Sequence, residues 1–165
     1  MLAEARYAEA LELLLRARRS MAGGHAKGLC VPIATLYFEG RPGVPKNQRL
    51  AYEHAKKGGA DGCADCMGTQ ARCLLVGAGC EKSIAQALIF ARSSAGLSSA
   101  TGKHVLGVMY DNGTGVAKDA VEAVRLYRLA ADQGDAYGQI RLGLMYENGT
   151  GVAKDPVISV PYRSN

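Results

Sequence analysis

Apolar residues recur along the chain at helical spacing, in stretches interrupted by clusters of glycine and proline. Over residues 2–19, Leu2, Tyr7, Ala10, Leu11, Leu14 and Leu15 fall near helical spacing with Arg and Glu between them, which predicts one helix that Gly23-Gly24 then breaks. Beyond it the pattern predicts helices in pairs, here called A and B, at 26–39 with 47–58, 63–76 with 83–95, and 99–111 with 119–132. Gly40-Arg41-Pro42-Gly43-Val44-Pro45 turns the first pair, and Ser83 and Asp119 stand where a capping side chain belongs. Pro32 falls in the first two turns of its helix, where a missing amide donor matters least. A last helix A at 135–147 is followed by Asp155-Pro156, a good helix start, but Pro161 blocks the interior, so the fourth pair is expected to stay incomplete.

The pairs are copies. Residues 105–119, from Val105-Leu106-Gly107 to Ala117-Lys118-Asp119, return as 141–155, from Arg141-Leu142-Gly143 to Ala153-Lys154-Asp155, a shift of 36. Carried backwards, the same step takes Gly115 to Gly79 and Gly43, Ala123 to Ala87 and Ala51, and Ala136 to Ala100 and Ala64. A period of that size marks a solenoid, in which each unit buries its apolar face only against its neighbours.

The residues at fixed places in the unit include Ala100, Leu106, Gly107, Tyr110, Gly113, Gly115, Val116, Asp119, Ala123, Tyr127, Ala130, Ala131 and Gly134. Together they resemble a Sel1-like repeat, a relative of the tetratricopeptide repeat, closely over 100–155 and more weakly over 26–99. The resemblance implies an all-α, right-handed α/α superhelix of about three and a half helix-turn-helix repeats that binds other proteins, and it implies no catalytic residue. Residues 1–25 then form an N-terminal capping helix, and 26–165 the array, with units near 26–62, 63–98, 99–134 and 135–165. The tail Val157 to Tyr162, or a partner, is expected to cover the open side of the last helix A.

Composition narrows the function. With 48% apolar and 21% charged residues the chain can build a soluble core, and ten aromatics against 21 glycines point to close packing through small side chains. The net charge of +5 is dispersed apart from Arg16-Ala17-Arg18-Arg19, whereas a nucleic-acid surface needs a denser basic face, so no nucleic-acid partner is expected. Glu4, Glu9 and Glu12 interrupt any leader-like apolar run, and no stretch approaches the ~20 apolar residues that cross a bilayer. The sequence favours an intracellular soluble protein without direct membrane insertion.

Candidate chemistry is sparse. The Gly-Thr-Gly turns at 113–115 and 149–151 look like phosphate cradles, but their return at the same place in two units fits a helix-to-helix turn better. Gly96 to Lys103 misses a nucleotide-binding loop by one residue, and His104 stands where a magnesium-binding hydroxyl belongs. His25, His54 and His104 occupy unrelated places and have no nucleophile at meaningful spacing, so no enzyme is expected. Cys30, Cys63, Cys66, Cys73 and Cys80 leave three readings open: core packing, a disulfide such as Cys73 to Cys80, or a redox or metal site. The register favours packing, because Cys30 and Cys66 align with Gly102 and Gly138, Cys73 with Met109 and Met145, and Cys80 with Val116 and Val152. Some Sel1-like proteins are secreted forms with a bridged cysteine pair in every unit. Here the third and fourth units have none, which weakens any role for the Asn-Gly-Thr sequons at 112 and 148.

In the architecture that the resemblance implies, helix A residues turned away from helix B line the inner wall. They are Asp65, Gly68, Arg72 and Leu75; then Thr101, His104, Val108 and Asp111; then Tyr137, Ile140, Leu144 and Glu147. These vary between units that are otherwise near copies, as suits recognition on a fixed frame. The fourth set is the most apolar and is the expected docking end. The function expected is a non-catalytic interaction scaffold, adaptor or assembly subunit that grips a peptide or a neighbouring subunit, in keeping with a place in a large complex. The alternative is a cysteine-cluster redox or metal protein.

Overall fold

A computed structural model of the chain describes residues 2–20 and 27–155. Among the described residues the chain forms α1 (Leu2–Ser20), α2 (Lys27–Glu39), α3 (Gln48–Ala60), α4 (Ala64–Val76), α5 (Ile84–Gly96), α6 (Ala100–Asn112), α7 (Ala120–Ala131) and α8 (Ala136–Asn148), with no strand. The break at Gly23-Gly24, the second helix of the fourth pair and the tail Val157 to Tyr162 with Pro161 lie outside the described residues.

Capping side chains recur at the same step as the rest of the unit. Asn47, Ser83 and Asp119 accept from the amides of Leu50, Gln86 and Glu122 at the starts of α3, α5 and α7. Cys63, Ser99 and Asp135 do the same for Cys66, Gly102 and Gly138 at the starts of α4, α6 and α8. Each of the Asn, Ser and Asp caps is worth about 1 kcal/mol to its helix, and the weaker thiol of Cys63 less. At the other ends of α4, α6 and α8, Gly77, Gly113 and Gly149 hold left-handed backbone with φ of 75°, 69° and 68°, which lets the chain double back.

Each helix B packs between two A helices: α3 against α2 and α4, α5 against α4 and α6, and α7 against α6 and α8. The A helices also touch one another directly, α2 with α4, α4 with α6 and α6 with α8, while the B helices do not meet to a comparable extent. The stack therefore curls with its A helices on the inside. Helix α1 rests against α2, and its Arg18 guanidinium donates to His54 Nδ1 on α3.

Two apolar clusters fill the stack, one around Leu74, Val105, Leu106 and Met109, the other around Tyr127, Leu142, Met145 and Tyr146. Small residues set the spacing between a helix B and the following helix A. A Cβ on Gly58 would lie 2.3 Å from Cys66 Sγ, one on Gly102 2.3 Å from Ser94 Oγ, and one on Gly138 2.8 Å from Ala130 Cβ. The three contacts are the same pair of places in successive units. Each joins one glycine to one small side chain, and the glycine changes sides between the first contact and the other two.

Candidate binding groove

The inner wall gathers residues from all four A helices. The Arg72 guanidinium of α4 lies 4.0 Å above the Phe38 ring of α2 and 5.4 Å from the Tyr137 ring of α8. On the other side His104 of α6 stacks on Tyr137 with ring centroids 5.5 Å apart and planes 8° apart. The Tyr137 hydroxyl donates to Glu39 Oε1 at 2.8 Å, tying the last A helix to the end of the first, and Glu39 also holds the Arg41 guanidinium. Rings and a planar cation stack this way because the aromatic face is electron-rich and the guanidinium is weakly hydrated.

The other expected wall residues take several depths. Asp65 is half-buried and accepts from the Ser99 hydroxyl at 2.5 Å, and Asp111 accepts from the Tyr127 hydroxyl at 3.4 Å. Thr101 is half-buried at the first turn of α6, and Leu75 and Val108 line a cavity beside Arg72. Tyr137 and Ile140 are exposed and border a wider hollow, while Leu144 and Glu147 are half-buried further along α8. Gly68 is a correction: it is buried against the next helix, and a Cβ there would lie 2.8 Å from the Gly102 nitrogen. It forms part of the contact between units and is no part of the wall.

His104 is only 6% exposed, its Nδ1 makes no hydrogen bond, and Asp135 Oδ1 stands 3.7 Å away. Burial, with Arg72 and Arg141 nearby, pushes its imidazole down to about 4, so the ring is neutral near pH 7. Burial raises the Asp135 carboxyl, although the Gly138 amide donates to it at 2.6 Å. Arg72 Nε is likewise buried without an acceptor.

The wall contains residues that the repeat register hides. Phe38 falls at the same place as Leu74, Tyr110 and Tyr146, which reads as core, and Glu39 and Arg141 carry no signal beyond their charge. A phenylalanine in a chain with only two of them was the one available pointer.

Cys63, Cys66, Cys73 and Cys80 are free thiols, so Cys73 and Cys80 are not bridged. Cys66 packs on Gly58 with its thiol pushed upward, first by burial, and burial raises Cys73 to about 11, which leaves both as inert thiols at neutral pH. Among the described residues no group of His, Cys, Asp and Glu is placed to hold a metal ion, and no helix is long and apolar enough to cross a membrane. The glycine turns serve packing, since a Cβ on Gly115 would lie 2.8 Å from Ile84 Cγ2.

Comparison with known proteins agrees with this architecture. The family description of the Sel1 repeat matches residues 33–63, 67–99, 102–135 and 136–160. Among solved structures the chain is similar to a protective antigen present in uropathogenic Escherichia coli strains and displaying an SLR fold, with 28% identity, a TM-score of 0.62, and 92% of this chain and 32% of that chain covered. It is similar to a Sel1 repeat protein from Oxalobacter formigenes, with 27% identity, a TM-score of 0.64, and 94% and 66% covered. It also resembles the cysteine rich protein B of Helicobacter pylori at 25% identity and a TM-score of 0.54, covering 69% of this chain and 84% of that one. The chain thus spans a third of the first of these proteins and about two thirds of the second. No curated protein matches the sequence.

Proposed function

This chain belongs to the Sel1 repeat family, whose members generally serve as protein-interaction scaffolds and are generally non-catalytic, and we propose that it grips a peptide or neighbouring subunit in its inner groove. The observation that carries this reading is the convergence of Phe38, Arg72, His104 and Tyr137, from four different A helices, on one stacked surface beside the exposed Ile140. Those contacts lie outside the small-residue pairs and the two buried apolar clusters that join one unit to the next. Aromatic and arginine side chains concentrate where protein surfaces bind, since they supply large contact area and forked donors at modest entropic cost. The preformed frame lowers the ordering cost of a ligand. The groove would act by apolar burial and a few polar contacts, with no chemical step.

A peptide screen on the purified chain tests this. Bound peptides should lose about tenfold or more in affinity with Tyr137→Ser, and a smaller factor with Leu144→Ala, while the melting temperature stays within a few degrees. Unchanged affinity in Tyr137→Ser, or loss only with the outer-face change Val121→Asp, would place binding elsewhere. A large fall in stability for Leu144→Ala would mark that residue as core.

A further inference from the structure

Within the groove, α2, α4, α6 and α8 border an open cavity of about 210 Å³ with an apolar side formed by Leu75, Val105 and Val108 and a cationic side formed by Arg72 and Arg141. That is less than the roughly 300–1,000 Å³ of a site for a drug-sized ligand, and it suits a single residue. Two buried polar atoms here lack partners. Arg72 Nε, a donor, has no acceptor among the described residues, and the Nδ1 of His104, a side chain more than nine-tenths buried on the same cavity, makes no hydrogen bond either. An orphaned buried donor costs about 1–3 kcal/mol, so an acceptor arriving at Arg72 Nε is favoured.

The cavity lining carries two guanidinium groups, Arg72 and Arg141, and no carboxylate. The carboxylates around it make their own hydrogen bonds, Asp65 with the Ser99 hydroxyl and Asp135 with the Gly138 amide beside His104. Arg72 lies over the Phe38 and Tyr137 rings, and its planar guanidinium is the side chain best suited to take a carboxylate in a fork. Phe38 and Tyr137 line both the cavity and the wider hollow beyond, and the Tyr137 hydroxyl is fastened to Glu39. A space of this size holds the end of a chain more readily than a segment that must enter and leave it.

Resting on the groove reading above, we infer that the cavity takes the last residue of a partner polypeptide, with its α-carboxylate on Arg72 and Arg141 and an apolar side chain against Leu75, Val105 and Val108. A terminal residue carries both groups on one Cα. An internal Asp or Glu offers the carboxylate without the apolar group and has chain leaving in both directions.

The test uses ten-residue peptides with varied upstream sequence ending in Leu, Ile or Val, each made with a free carboxylate and as the C-terminal amide, titrated into the full chain by fluorescence anisotropy. The free acids should bind about tenfold or more tighter than their amides. Arg72→Met should erase that difference with the melting temperature kept, Arg72→Lys should restore part of it, and Arg141→Met supplies the same readout should Arg72→Met fail to fold. Equal binding of acid and amide, with both still weakened by Tyr137→Ser, overturns the terminal-carboxylate inference and leaves the groove standing. A preference for amidated peptides carrying an internal Asp or Glu overturns it too. Failure of every peptide to bind in either form takes the groove reading down with it.

Discussion

His104 shows how one residue's depth changes what it does. On the helix it occupies a place that faces the inner wall, yet Tyr137 of the next unit stacks over it and leaves it 6% exposed. Its folded value of about 4 lies below the ordinary 6.5, so between those pH values unfolding takes up a proton that the folded chain refuses. Stability therefore falls as pH drops from 6.5 to about 4, by as much as about 3 kcal/mol, and levels off below. His54, stacked on Tyr37 and lowered to about 4 by burial and Arg18, moves the same way, while the raised Asp135 carboxyl opposes it. Comparing variants isolates His104: the fall in melting temperature between pH 7 and 4.5 should be smaller in His104→Gln than in the parent. An equal fall in both would mean that the imidazole is protonated freely in the folded chain.

Helix boundaries were legible because each one is written in local chemistry. The caps Ser83 and Asp119, the glycine turns and the 36-residue step place the eight helices of the described residues within about two residues of where the chain puts them. The packing role of Cys66 was legible as well, through its alignment with Gly102 and Gly138. What the alignment did not reveal is that the helix B partner varies in compensation, Gly58 for Cys66, Ser94 for Gly102 and Ala130 for Gly138. Gly58→Ala should therefore destabilise by about 1–3 kcal/mol, a drop of roughly 2–4 °C for each of them, because the added methyl meets a buried sulfur. Cys66→Gly in the same chain should recover part of that loss, since it removes the sulfur but leaves Cys30 Cβ 2.7 Å from the added methyl. Thermal melts of the single and double variants decide it, and a double variant less stable than Gly58→Ala alone would mean that the two places pack independently.

The groove was only partly legible, since it depends on how far the stack curls. Each unit adds a small rotation, and no residue names the sum. That sum brings Tyr137 to Glu39 across 98 positions of sequence and sets Phe38, whose register place is core in later units, against Arg72. The outer face offers a rival surface in Ile89 and Val121, exposed at 62% and 68%, with Ile89 bordering a hollow shared with Tyr52, Lys56 and Phe90. The decisive measurement is a two-dimensional amide NMR titration of the isotopically labelled chain with the tightest peptide from the screen. The account predicts shifts concentrated on Phe38, Arg72, Leu75, Val108, Tyr137 and Ile140, from helices far apart in sequence. Shifts confined to the outer helices around Ile89 and Val121, with those inner residues unmoved, would contradict it.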